Sequence, residues 1–257
     1  MKIPNDELKD FLDKKVDQYN RPEFITGDPV SIPHQFTLKE DIEIAGFLTA
    51  TLSWGNRTSI IQSASRLMQL LEQSPYHFIV ESGDEDMKRF HRFIHRTFNG
   101  NDCIYFISAL KNIYLHHGGL ENIFNEMILK GFSVKEGIIH LRKIFFELPH
   151  LTHAEKHVAD PSKNACAKRI NMFLRWMIRN DKRGVDFGIW KAIQPSMLFC
   201  PLDIHTGNVS RKLGLLSRKA NDWKSVEELT SRLRTLDPDD PVKYDFALFG
   251  LGIFEDF

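Results

Sequence analysis

Apolar residues recur along this chain at three- and four-residue intervals, and alternating strand-like runs are scarce. The periodicity predicts a helix from a cap at Asn5 to about Tyr19. A loop follows, in which Pro22, Gly27, Asp28, Pro29 and Pro33 favour extended backbone. From Leu38 onward, Ile42, Ala45, Leu48, Ala50 and Leu52 describe a helix that is apolar nearly all round, the kind that sits at the centre of its lobe. Trp54-Gly55-Asn56-Arg57 punctuates it. Further helices are expected over 60–71, 86–97, 103–116, 120–129 and 135–146. The stretch 148–164 is polar and irregular. A strongly amphipathic helix is expected over 168–179, with Ile170, Phe173, Leu174 and Met177 on one face, and a short one over 187–193. The last three helices are predicted to start at Asp203, near Ser225 and at Asp240-Pro241, where a capping Asp precedes Pro. The pattern is that of an all-α chain without solenoid repeats.

Composition narrows the class. The 257 residues are 42% hydrophobic and 26% charged, which excludes a disordered chain and allows one large domain or two interlocked lobes. Cys103, Cys166 and Cys200 are too few and too scattered for a disulfide framework or a four-cysteine iron–sulfur site, so a reducing compartment is expected. Neither a signal-peptide stretch at Met1 nor a run of about 20 apolar residues is present, and the expectation is a cytoplasmic protein without membrane contact. The formal net charge is zero but unevenly spread. Residues 163–219 hold twelve Lys/Arg against three Asp, a local +9 that the rest of the chain balances. A basic surface of this kind attracts phosphate backbones; the plainer reading is a set of solvated cations on successive helices. His91 and His95 are spaced to share a helix face, and His150, His153 and His157 recur in the polar segment. Neither set carries the Glu of a zinc-protease motif, and no metal or other cofactor is expected. Asp237, Asp239 and Asp240 read as turn and cap residues.

Two segments carry a family resemblance. Cys166-Ala167-Lys168-Arg169-Ile170-Asn171-Met172-Phe173-Leu174 resembles the second helix of a helix-hairpin-helix, where DNA glycosylases place a catalytic Lys. Pro201-Leu202-Asp203-Ile204-His205-Thr206-Gly207, continuing to Arg211-Lys212-Leu213-Gly214-Leu215, is similar to the stretch that holds the catalytic Asp of the same superfamily. Residues 43–58 resemble that family's buried helix and the loop that wedges into DNA, and Tyr244 to Gly250 resembles its terminal helix with a late Gly. The matches run in the family's chain order. The chain also resembles an uncharacterised bacterial family distantly related to those enzymes. Two departures stand out. The hairpin, Ser162-Lys163-Asn164-Ala165-Cys166-Ala167, lacks the family's glycines, so Asn164 is the residue expected to take the left-handed conformation. The Lys-to-Asp interval of 35 residues exceeds the usual spacing, which an insertion over 185–197 would explain.

The resemblance implies a two-lobed helix-hairpin-helix glycosylase fold, with residues 41–194 as a helical barrel lobe and 1–40 plus 195–257 as the second lobe, and a cleft between them. It implies a monomer that acts on damaged double-stranded DNA and flips out a base, an oxidised purine by analogy with one divergent branch. Lys168 would be the nucleophile of a glycosylase with AP lyase activity, with Lys163 in reserve, and Asp203 would stabilise the sugar cation. Trp54, Asn56 and Arg57 would enter the DNA, and Arg169, His205, Arg211 and Lys212 would line it. Each residue also has an ordinary role: Asp203 is a good N-cap and Lys168 a helix-start lysine. A non-catalytic DNA-binding module of the same fold and a helical protein-interaction scaffold are the competing readings.

Overall fold

A computed structural model describes residues 4–255 and 257. Among them the regular structure is helical, with no strand beyond two isolated bridges, so the chain is all-α. In chain order the α-helices are α1 (Asn5–Tyr19), α2 (Glu23–Thr26), α3 (Lys39–Leu52), α4 (Arg57–Leu70), α5 (Pro75–Glu81), α6 (Asp84–Met87) and α7 (Gly100–His116). They continue with α8 (Leu120–Leu129), α9 (Val134–Phe145), α10 (Thr152–Glu155), α11 (Lys168–Ile178), α12 (Ile204–Lys212), α13 (Trp223–Leu236) and α14 (Tyr244–Phe254). No helix among the described residues is long and apolar enough to cross a membrane. The chain divides into two compact units, one of residues up to Phe24 with Asp160–Phe257, the other Ile25–Ala159. The sequence reading drew its lobes at 41 and 194. In the structure residues 25–40 group with the central unit, and α11 with the segment after it groups with the C-terminal helices.

In the central unit α3 is buried from Asp41 to Leu52, as its all-round apolar pattern predicts. Phe47 meets Phe106 of α7 and Phe145 of α9 at ring centroids of 6.3 and 5.5 Å, and Phe106 meets Phe145 at 4.7 Å. Each of these rings is fully buried, and removing each from water contributes roughly 1.5–3 kcal/mol. Helices α8 and α9 pack as a pair, with Gly137 under the ring of Phe124, where a Cβ would stand 2.7 Å from Cδ1. The expected helix over 86–97 is not formed. Only α6 and a 3₁₀ turn at Lys88–Phe90 appear, after which Arg96 takes a left-handed φ of 55° and His95 bridges Phe98. Turning the chain there buries Phe90, Phe93 and Phe98 together, with the Phe93 and Phe98 rings edge-on at 6.1 Å.

In the other unit α14 is central. It packs against α1 and α12, and both contacts rely on missing side chains. A Cβ at Gly250 would overlap the Tyr19 ring, and one at Gly252 would stand 3.0 Å from the Cβ of His205. The expected short helix over 187–193 is also absent. The segment between α11 and α12 is irregular but packed: Val185, Trp190, Ile193, Leu198 and Cys200 are buried. It is pinned to the end of α11 by the amides of Phe187 and Trp190, which donate to the Trp176 and Met177 carbonyls at 2.8 and 3.0 Å. Those carbonyls belong to the last turn, which has no partners inside its own helix.

Candidate active site

The backbone before α11 is tightly folded without glycine. Pro161–Lys163 form a 3₁₀ turn, Asn164 closes it at φ 65°, ψ 20°, and Ala167 caps α11 at φ 48°, ψ 34°. Asn164 thus takes the conformation expected of it. Its side chain is held to the start of α13: Nδ2 donates to Asp222 Oδ2 at 3.1 Å, and Oδ1 accepts from the Lys224 amide at 3.3 Å. Its carbonyl accepts from the Trp223 amide at 3.0 Å. Ala167 lacks such local compensation, and an L-residue in this region costs roughly 1–2 kcal/mol. It is 2% exposed, so burial of its methyl group partly offsets that cost.

This turn delivers Lys168 as the first residue of α11. Asp203 is the N-cap of α12, and the two side chains meet inside the same unit. Lys168 Nζ lies 4.0 Å from Asp203 Oδ2, with each side chain about one quarter exposed (24% and 24%). Asp203 divides its oxygens between two tasks. Oδ1 accepts the Thr206 amide at 2.9 Å, closing the helix start, while Oδ2 faces the amine. The Asp203 carbonyl is held in turn by Asn221 Nδ2 at 3.1 Å.

Beneath the pair lies a buried ionic cluster that sequence reasoning missed. Arg175, two turns along α11 from Lys168, hydrogen-bonds Asp245 of α14 through Nη1 and Asp186 through Nε at 3.2 Å. Arg179 reaches Asp186, Asp181 and Asp240 at 3.1, 2.8 and 2.8 Å. The two guanidinium groups lie over the Phe246 ring at 4.1 and 5.5 Å. Burial raises the Asp245 carboxyl to about 6 against the pull of Arg175. The charge of Asp203 pushes in the same direction as burial, and that of Lys168 opposes it, so Asp245 lies within electrostatic reach of the surface pair. Burial also raises Asp240, despite Arg179 beside it. The signal for this cluster was present as Arg175 and Arg179 at i, i+4 on a helix whose neighbours are apolar, but its acidic partners come from two stretches, 181–186 and 240–245, the second distant in the chain.

The cluster corrects the reading of residues 163–219 as a run of outward-facing cations. Arg175 and Arg179 are internal, Arg183 pairs with Asp17 and Asp181, and Arg218 pairs with Asp222. Arg211, expected to line DNA, is an internal clamp: Nε donates to the Arg218 carbonyl at 2.7 Å, and Nη2 to the Lys219 and Ala220 carbonyls and to Asn221 Oδ1. Gly207 makes room for it, since a Cβ there would stand 2.8 Å from Arg211 Nη1 and from Asn221 Oδ1. Arg169 is half-buried, and desolvation lowers its guanidinium to about 10. Lys163, His205 and Lys212 are exposed, and Lys212 stands over the Phe257 ring at 5.7 Å. Ile204, next to Asp203 in sequence, is 69% exposed.

Trp54, Asn56 and Arg57 belong to the central unit. Asn56 caps α4 by accepting the Ser59 amide at 3.3 Å, and Arg57 is the first residue of that helix, half-buried. Trp54 is half-buried with the Arg96 guanidinium 4.8 Å over its ring and His95 edge-on at 6.1 Å. Gly55 adopts φ 107°, with Arg96 packed against it. The histidines sort differently from their sequence spacing. His95 is buried and bonded to Ser63 Oγ at 2.9 Å while His91 is exposed, so they form no pair. His150 turns to the Leu148 carbonyl at 2.8 Å, leaving His153 and His157 to converge on Asp102.

Residues 28–254 match a family model described as a protein of unknown function, DUF2400. The chain belongs to the DUF2400 family. The match takes in Lys168, Asp203, Arg175 and Asp245, so the surface pair and the cluster beneath it both lie within the DUF2400 domain. It begins after α1, so the packing of α1 on α14 joins a helix outside the matched span to one within it. No curated protein and no solved structure matches the chain.

Proposed function

We propose that this DUF2400 protein is a base-excision DNA glycosylase of the helix-hairpin-helix type, with Lys168 and Asp203 as the reacting groups. The observation that carries the reading is the 4.0 Å approach of an amine and a carboxylate, each on the first turn of a different helix and each partly open to solvent. The two left-handed residues before Lys168, Asn164 and Ala167, support it further: they supply without glycine the backbone bend that a hairpin of this type needs.

The chemistry follows from those groups. Loss of a base builds positive charge on the deoxyribose, and the Asp203 carboxylate stabilises it. The deprotonated Lys168 amine attacks the anomeric carbon, the base departs with the bonding pair and takes up a proton, and ring opening leaves an imine that permits strand cleavage. Helix α12 fixes the carboxylate through the Thr206 amide, so its orientation requires no reorganisation as charge develops. Ile204, exposed next to Asp203, offers an apolar surface to an extruded base.

The test is incubation of the full chain with duplexes carrying an oxidised purine, in borohydride. A covalent adduct in the native protein, absent in Lys168→Ala, with base release measured in parallel, is the expected result. Neither adduct nor base release across a panel of damaged duplexes would overturn the enzyme reading. Salt-dependent DNA binding in that case would favour the non-catalytic module.

A further inference from the structure

We propose that Asp102, His153 and His157 form a binding site for a single divalent transition-metal ion of the zinc class, in the central unit and separate from the Lys168–Asp203 pair. Asp102 stands on the first turn of α7, His153 on α10, and His157 on the turn that follows α10. His153 Nδ1 lies 2.8 Å from Asp102 Oδ1, and His157 Nε2 lies 3.3 Å from Asp102 Oδ2. One donor atom from each of the three residues falls within 4.8 Å of the others, so a small inward movement brings them to the roughly 3.3 Å separation that tetrahedral bonds of about 2 Å require. Two neutral imidazoles and one carboxylate are a donor set that suits zinc, and three protein ligands leave a fourth position for water.

The surroundings favour an ion at this place. Asp102 is 2% and His157 4% exposed, so two of the three ligands are held in a dry, aromatic wall. Phe98 meets the His157 ring at 4.9 Å, and Phe106 meets it at 6.3 Å. Asp102 Oδ2 also accepts the Asn99 amide at 2.9 Å, an outer contact that fixes the carboxylate and leaves Oδ1 for the metal. His153 is exposed and supplies the open side. Its Nε2 lies 2.7 Å from Lys156 Nζ, so the contact with Asp102 places the ring proton on Nδ1. Metal binding at Nδ1 moves that proton to Nε2 and releases the exposed Lys156 side chain to solvent. A tautomer change of the same kind frees His157 Nε2. No net proton is gained or lost, and the carboxylate leaves the bound ion one positive charge.

The sequence separates these ligands by 51 residues, and His150 obscures the pair that matters. The i, i+4 spacing of His153 and His157 survives only because a single helical turn continues past Glu155.

The experiment is a titration of the chelator-treated full chain with Co²⁺, read by visible absorption and competed with Zn²⁺. Native protein is expected to bind one equivalent with the intense bands of low-coordinate cobalt, and Zn²⁺ is expected to abolish them. His153→Ala removes an exposed ligand, and circular dichroism checks that the fold persists. It is expected to weaken binding by more than the roughly 10–100-fold typical of outer-contact losses. His91→Ala, an exposed histidine elsewhere in the same unit, is expected to change nothing. Absence of stoichiometric binding, equal binding by His153→Ala, or equal loss in both variants would show a hydrogen-bonded clasp and no metal site.

Discussion

Asp203 serves the fold with one oxygen and the proposed chemistry with the other, and two substitutions separate these roles. Asp203→Asn keeps an oxygen able to accept the Thr206 amide, and Asn caps as well as Asp. It removes the charge facing Lys168. With both side chains about one quarter exposed, that ion pair contributes no more than about 1 kcal/mol. Asp203→Ala removes the cap as well, at a further cost of about 1 kcal/mol. For a chain of this size each such step lowers the melting temperature by roughly 2–4 °C. Urea denaturation and base release, measured on the same preparations, give the two readouts. The Asn variant is expected to lie within about 1 kcal/mol of the native protein, and the Ala variant about 1 kcal/mol below it. Both are expected to lose excision by about 100-fold or more, the scale for removing a preorganised electrostatic partner. Native-level excision by Asp203→Asn would refute the catalytic role. An Ala variant as stable as the Asn variant would refute the capping argument.

Two further outcomes probe the cluster below the pair. Arg179→Ala leaves Asp186 buried with fewer partners, takes one partner from Asp181 and removes the guanidinium from Asp240; urea unfolding is expected to show a loss of about 3–5 kcal/mol, and a loss under 1 kcal/mol would contradict the packing described. Asp245 has a carboxyl raised from 3.8 to about 6, so between those values the folded state holds a proton that the unfolded state has released. Its contribution to stability is therefore full below about pH 4 and declines as pH rises through 6, by on the order of 3 kcal/mol in all. Asp245→Asn is expected to lack this decline, and a denaturation midpoint whose pH profile is unchanged by the substitution would argue against it.

How much of this was legible beforehand depended on range. Helices α3, α4, α7, α8, α9, α11 and α13 follow from local periodicity, because their buried faces repeat within one element. The segments at 86–97 and 187–193 were misread as helices. Phe90 and Phe93 have helical spacing, but Phe98 completes the group only through a turn at Arg96. Trp190 and Ile193 likewise have helical spacing, yet the Trp190 amide is held by the Met177 carbonyl of α11. Asn164's left-handed backbone was readable from its side-chain chemistry, whereas Ala167's was not, since nothing in an alanine signals positive φ. Lys168 and Asp203 were found through resemblance and not through pattern. Asp240 and Asp245 as partners of Arg179 and Arg175, and Asp102 as the partner of His153 and His157, were out of reach, because each joins segments distant in the chain.

The inward turn of the arginines bears on how this molecule would meet a polyanion. Of the basic stretch, Lys163, Lys182, Lys191, Lys212 and Lys219 remain exposed. Each phosphate neutralised releases nearly one condensed counterion, so these five would give an affinity falling with the logarithm of salt at a slope of about −4 to −5. A grip that light would allow rapid dissociation from undamaged stretches, and residence would then depend on what the extruded nucleotide finds.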